Sequence, residues 1–173
     1  MPADGTSRLQ VVLLVDDDLR TTRRMAEMLR EDGFAVEIAR DGAAAVARLS
    51  RAPVPDAVVT ELTTAHVDGG AIGRFARSQR PGLPVLVVTG YPNLFDAGAF
   101  GGGPPPQLFT KPVEYASLKE ALVGALRSSL SSRPPEVAVV HDPAVRPDVD
   151  SEHADVRRDP VPGAQTVRSL RRP

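Results

Sequence analysis

Several polar residues follow directly on short apolar runs of this chain. Asp16 and Asp17 end the run Val11-Val12-Leu13-Leu14-Val15, Glu61 follows Ala57-Val58-Val59-Thr60, Thr89 follows Val85-Leu86-Val87-Val88, and Lys111 follows Gln107 to Thr110. Carboxylates brought within a few ångströms repel, and each raises the others' pKa unless a cation intervenes. Mg2+ suits such a site, because it takes oxygen ligands in octahedral geometry, keeps several waters and joins carboxylates to a phosphoryl group. A lysine and a threonine opposite the ion would bind the remaining phosphoryl oxygens, the electrostatic arrangement that phosphoryl transfer needs. Residue usage adds a hint. Of 21 basic residues only Lys111 and Lys119 are lysine, so a lysine at this point suggests a need for a compact ammonium on a flexible stem rather than a planar guanidinium.

That chemistry requires the runs to lie side by side with their carboxyl ends together. Residues Leu9 to Leu130 alternate short apolar runs with longer segments of helical period, the sequence form of repeated strand-helix units and of a parallel sheet in the α/β class. Strands are expected at Val11 to Val15, Phe34 to Ala39, Ala57 to Thr60, Val85 to Val88 and Gln107 to Thr110. The first run is apolar at every position, as in a strand covered on both faces. Helices are expected at Arg20 to Arg30, with Met25, Met28 and Leu29 at helical spacing and Gly33 beyond its end, at Gly42 to Ser50 behind Asp41, and at Gly69 to Arg77, with Ile72, Phe75 and Ala76 inward. Asp18 and Asp41 are N-cap residues by type and place. The last helix begins near Glu114 and carries Leu118, Leu122, Leu126 and Leu130 every four residues, with Ser117 and Glu120 spaced as a capping box. In a doubly wound sheet of this kind, ligands bind beyond the carboxyl ends of the strands, where all the polar residues named above fall.

One unit is defective. Between the fourth and fifth strands, Phe100-Gly101-Gly102-Gly103-Pro104-Pro105-Pro106 cannot sustain a helix, since glycine and proline disfavour one by about 1 and 3 kcal/mol each. Asn93 to Ala99 has room for a turn or two at most.

A length of 173 residues allows one domain, taken as residues 8–130, and a remainder, 131–173, too short for a second core. The remainder mixes prolines with balanced charges and lacks aromatics, so it is expected to be a disordered tail. Its one apolar patch, Val137 to Val140, reads as incidental, with a short partner-binding strand as the alternative. Without cysteine there is no disulfide framework. No apolar stretch reaches the roughly 18 residues of a membrane span, and MPADGTSRLQ lacks a cationic apolar leader, so a cytoplasmic protein is expected. A net charge of −1 offers nucleic acid no general attraction. His66, His141 and His153 have no trustworthy partner at ligand spacing and read as solvated.

In this order and at these spacings, VVLLVDDD, PDAVVTELTTAHVDG, VLVVTG and FTKP resemble the motifs of the receiver domain of bacterial response regulators over residues 9–130. The resemblance implies a flavodoxin-like, doubly wound sheet of five parallel strands in the order 2-1-3-4-5, here with a degenerate fourth helix. It implies no enzyme in the usual sense, but a module of two-component or phosphorelay signalling that takes a phosphoryl group from a histidine kinase. Asp17 would bind Mg2+ directly, Asp16 through water, with the backbone carbonyl of Thr63 and the acceptor carboxylate completing the metal set. Lys111 would bridge to the acceptor, and Thr89 would turn toward the phosphoryl group. The chain departs from the family's pattern at four places. Glu61 stands where the acceptor aspartate belongs, Thr64-Ala65 replaces a methionine-proline pair, Leu108 replaces the switch aromatic with Phe109 on the opposite strand face, and the fourth helix is the glycine and proline stretch.

Glu61 then has three roles open to it. It can accept a phosphoryl group, it can extend toward Thr89 and Lys111 and imitate the phosphorylated state, or it can simply balance Lys111. The expected function is an atypical receiver that works by contact with a histidine kinase, a phosphotransfer protein or another regulator, without phosphorylation. The alternatives are a working Mg2+-dependent acceptor and an interaction scaffold with no use for ion or phosphate. A homodimer through the altered fourth-helix face also stays open.

Overall fold

The computed structural model describes residues 8–64 and 67–131, without the side chains of Thr64 and Val67. The N-terminal residues before Arg8, the tail beyond Ser131 with its Val137 to Val140 patch, and His66, His141 and His153 all lie outside the described residues. Five parallel strands are present: β1 (Val11–Val15), β2 (Ala35–Ala39), β3 (Ala57–Thr60), β4 (Val85–Thr89) and β5 (Gln107–Thr110). They pair in the order 2-1-3-4-5, the flavodoxin-like arrangement. Side chains of successive strand residues point to opposite faces, and both faces are covered. Val12, Leu14, Val59, Leu86 and Val88 join α1 (Leu19–Glu31) and α4 (Tyr115–Ser131) in one core. Leu13, Val15, Val58, Val85 and Val87 join α2 (Gly42–Leu49) and α3 (Gly69–Gln79) in the other. The central strands are apolar up to their closing threonines, Thr60 and Thr89, because neither face meets water.

Acidic side chains start each of the four described α-helices. Asp18 accepts from the N–H groups of Arg20 and Thr21, Asp41 from Ala44 and Asp68 from Ala71, each satisfying amides that have no partner within the helix. At the end of α1, Gly33 takes the left-handed conformation, φ 89°, that glycine adopts without strain. The start of α4 corrects one expectation. Glu114, not Ser117, is the capping side chain, accepting from the N–H groups of Ala116 and Ser117. The helix therefore begins too early for a Ser117/Glu120 box. Of the four leucines spaced along α4, Leu118, Leu122 and Leu126 are buried, whereas Leu130 is 55% exposed. At 3.6 residues per turn a spacing of four drifts by roughly 40° per step, so the fourth leucine lies about 120° from the first.

Between β4 and β5 there is no regular α-helix. Two short 3-10 turns, Pro92–Leu94 and Ala97–Phe100, stand there, as the glycine and proline content requires. Phe100 nevertheless reaches the core and is fully buried. It packs where Gly73 of α3 leaves room; a Cβ on Gly73 would lie 2.5 Å from the Phe100 ring. The stretch after Phe100 is gathered by one side chain, since the Arg77 guanidinium donates to the carbonyls of Phe100, Gly101, Gly102 and Pro104. Among the described residues no helix is long and apolar enough to cross a membrane.

Candidate functional site

Parallel pairing continues past the strands and aims the site. Asp16 N–H donates to Ala39 O at 3.2 Å, Glu61 N–H to Val15 O at 2.8 Å, and Lys111 N–H to Thr89 O at 2.8 Å. Each polar residue is thus anchored by a neighbouring strand, and the carboxyl ends of β1, β3, β4 and β5 supply one cluster. The start of α3 closes on it: Gly69 N–H donates to Leu62 O at 2.8 Å. Only a residue without a side chain fits there, because a Cβ on Gly69 would come within 2.5 Å of Glu61 O.

Lys111 stands at the centre. Its Nζ lies 2.7 Å from Asp16 Oδ2 and 2.7 Å from Glu61 Oε2. The second oxygen of each carboxylate is also engaged, Asp16 Oδ1 by Asp18 N–H at 2.9 Å and Glu61 Oε1 by Leu62 N–H at 2.7 Å. The buried Thr89 hydroxyl hydrogen-bonds the Glu61 carboxylate and accepts from Tyr91 N–H at 3.1 Å. Glu61 is 6% exposed, so its charge depends on these donors.

The two carboxylates respond in opposite directions. Burial raises the Asp16 carboxyl above its ordinary value, and the hydrogen bonds from Lys111 and Asp18 N–H offset this only in part. Burial also pushes Glu61 up, but hydrogen bonds from Lys111, Thr89 and Leu62 N–H outweigh it and hold the group below its ordinary value. Glu61 has donors from three residues and Asp16 from two, which accounts for the difference. Burial disfavours the Lys111 ammonium, yet its bonds to Asp16 and Glu61 more than compensate and raise its pKa. At neutral pH the cluster is an ammonium between two carboxylates.

Of the residues singled out from the sequence, Asp16, Glu61, Thr89 and Lys111 come together. Asp17 and Thr63 make no hydrogen bond or ion pair with these four side chains among the described residues. Both are exposed; Asp17 makes no hydrogen bond or ion pair among the described residues, and Thr63 pairs with Asp68 in a two-residue antiparallel ladder. Phe109 packs against the core shared by α1 and α4, while Leu108 is 36% exposed on the other face, as strand alternation requires. Sequence reasoning missed the direct contact of Lys111 with Asp16. It also missed Arg77, whose only signal was its place next to inward-facing Ala76 and ahead of a run of glycines and prolines.

Residues 12–123 match the family described as the response regulator receiver domain. The chain belongs to this family. Among its relatives, it is 34% identical over 131 residues to the transcriptional regulatory protein TrcR of Mycobacterium tuberculosis, a match covering 74% of this chain and 50% of that protein. It is 31% identical over 118 residues to the transcriptional regulatory protein GlrR of Escherichia coli, covering 68% of this chain and 26% of that protein. The chain thus spans half or less of these relatives' length. A receiver protein from Sinorhizobium medicae superposes with a TM-score of 0.62 at 27% identity, covering 70% of this chain and 98% of that one. The signal receiver domain of an HD domain-containing protein from Pseudomonas fluorescens gives 0.65 at 27% identity, covering 72% and 99%.

As a receiver, this domain is a module of two-component signalling rather than a classical enzyme. Receiver domains bind Mg2+ for phosphorylation, but the donors here do not fit that ion as arranged. Among the described residues no three acidic or histidine side chains are placed to share a metal, and the two carboxylates that do meet close on Lys111 Nζ at 2.7 Å.

Proposed function

We propose that this chain is an atypical receiver in which Glu61 takes the place of the phosphorylated aspartate and that it signals by protein contact without phosphorylation. The observation that supports this is the position of the Glu61 carboxylate, with Lys111 Nζ at 2.7 Å and the Thr89 hydroxyl hydrogen-bonded to it. These are the two side chains assigned, by resemblance, to the phosphoryl oxygens. A carboxylate one methylene longer than aspartate reaches into that space and gives Lys111 and Thr89 a permanent anionic partner.

The same reach disfavours phosphoryl transfer to Glu61. One extra carbon moves a nucleophile by about 1.5 Å, and misplacement on that scale costs roughly 100-fold in rate. Both Glu61 oxygens are moreover occupied by donors. On this reading the domain rests in one conformation and presents it to a histidine kinase, a phosphotransfer protein or another regulator in the cytoplasm. Asp17 and the Thr63 carbonyl, which the resemblance assigns to Mg2+, have no task in it.

The test is incubation of the protein with a small-molecule phosphodonor and Mg2+, followed by intact-mass measurement. The expected result is no added phosphate. An added phosphate that disappears in Glu61→Ala would establish the working acceptor in its place. Unchanged partner binding by Glu61→Ala would favour the plain scaffold.

A further inference from the structure

The cluster around Lys111 has the composition of a metal site whose cation is supplied by the chain. We infer that the Lys111 ammonium is a tethered replacement for the divalent ion, so that this domain attains its structure and conformation independently of Mg2+. The inference rests on the reading of Glu61 as a permanent partner of Lys111 and says what that partnership does to the neighbouring acidic site.

Geometry carries it. Mg2+ would need oxygens at about 2.0–2.1 Å in near-ideal octahedral array and sheds its waters reluctantly. Asp16 Oδ2 and Glu61 Oε2 instead each lie 2.7 Å from one nitrogen, the length of a charge-assisted N–H···O bond. Their other oxygens receive the N–H groups of Asp18 and Leu62. An ion entering between the carboxylates would have to expel the ammonium or lie against it, and like charges at such separation repel strongly where water is scarce.

The lysine is also held in place. Lys111 N–H is bonded to Thr89 O at 2.8 Å, so the root of its stem is fixed by β4. A cation delivered on a short tether acts at an effective concentration of roughly millimolar or more, which a free ion must exceed. Glu61 is what makes the position stable. Its arm brings a second carboxylate to the nitrogen that Asp16 already holds, and two charge-assisted bonds anchor the ammonium where one would leave it freer to swing away.

Titration of the intact chain with MgCl2, followed by backbone amide shifts and by the Lys111 Nζ resonance, tests this directly. At about 10 mM ion, a concentration at which a site of millimolar affinity would be mostly filled, the amides of Asp16, Asp17 and Glu61 and the Lys111 Nζ signal are expected to stay in place. A saturable shift of those signals would overturn the inference. If the protein still took up no phosphate, the proposed function would survive that result, so the two failures are distinct. Lys111→Met is expected to gain saturable Mg2+ binding at Asp16 and Asp17 and to be stabilised by the ion. Lys111→Gln, which can still donate to one carboxylate, repeats the measurement if the methionine variant does not fold. A folded, uncharged variant that still ignores Mg2+ would also overturn the inference, because the ammonium would not then be what keeps the ion out.

Discussion

The site is governed at the residue scale by one methylene. An aspartate after β3 would end about 1.5 Å short of where the Glu61 carboxylate ends and would leave room beyond it for a phosphoryl group. Glu61→Asp is therefore expected to take up phosphate from a small-molecule donor in the presence of Mg2+, read as one added phosphate by intact mass. No uptake would mean that more than the acceptor has been lost. Glu61→Gln keeps the shape and removes the charge, and the weakened bond to Lys111 is expected to lower stability by about 1–2 kcal/mol in urea unfolding. Glu61, Asp16, Thr89 and Lys111 were legible as a cluster because each follows an apolar run, and parallel strands align their carboxyl ends. The contact of Lys111 with Asp16 was not. Sequence order places backbone positions, whereas the side-chain reach from the end of β5 to the end of β1 depends on rotamers that spacing does not encode.

At the scale of elements, the segment between β4 and β5 shows how a chain can lose a helix and keep its fold. Composition excluded a helix from Phe100 to Pro106. It did not say what would satisfy the backbone instead, because an arginine in a helix usually reads as solvated. Here Arg77 is 7% exposed, and its guanidinium takes up the carbonyls of Phe100, Gly101, Gly102 and Pro104, while Arg74 bonds Ala99 O. Phe100 is anchored over Gly73. Arg77→Met would remove the donors but keep much of the stem, leaving part-buried carbonyls unsatisfied at about 1–3 kcal/mol. Its expected signature is local: faster amide exchange from Gly98 to Gln107, with the amides of β1 and β3 unchanged. A uniform rise across the sheet would show that the clamp supports the whole fold rather than this segment. Gly73→Ala should destabilise by a similar 1–3 kcal/mol through the Phe100 ring, and the smaller Phe100→Leu in the same chain should recover part of that loss.

At the scale of the described domain, the two ends of the sheet are held by different means. The carboxyl ends meet at Lys111, while at the amino ends Asp56 accepts from Arg8 at 3.0 Å, Arg80 at 3.1 Å and Val11 N–H at 2.8 Å. Strand order and both helical layers could be read from the alternation of apolar runs and helical periods, but these cross-chain ties could not, since nothing in spacing pairs Arg8 with Asp56 or Tyr115 with Asp32. The latter tie joins the end of α1 to the start of α4: Tyr115 Oη donates to Asp32 Oδ2 at 2.5 Å, and Lys119 Nζ lies 2.6 Å from Asp32 Oδ1. Burial, then the bond to Asp32 and its charge, raises the Tyr115 pKa well above the ordinary 10.0. The sign of the effect on stability follows by linkage. Because the folded value is raised, the contribution of Tyr115 is fully present below pH 10.0 and is lost as pH climbs through the folded value, where the phenolate would face Asp32. The stability difference between the natural chain and Tyr115→Phe is thus expected to be constant from neutral pH to about pH 10 and to shrink above it, measured as urea midpoints. In Tyr91→Phe, where Tyr115 is the remaining tyrosine, tyrosinate absorbance should appear at higher pH when folded than in denaturant. Coincident titrations in the two states would show that the tie between α1 and α4 does not hold the phenol in its neutral form.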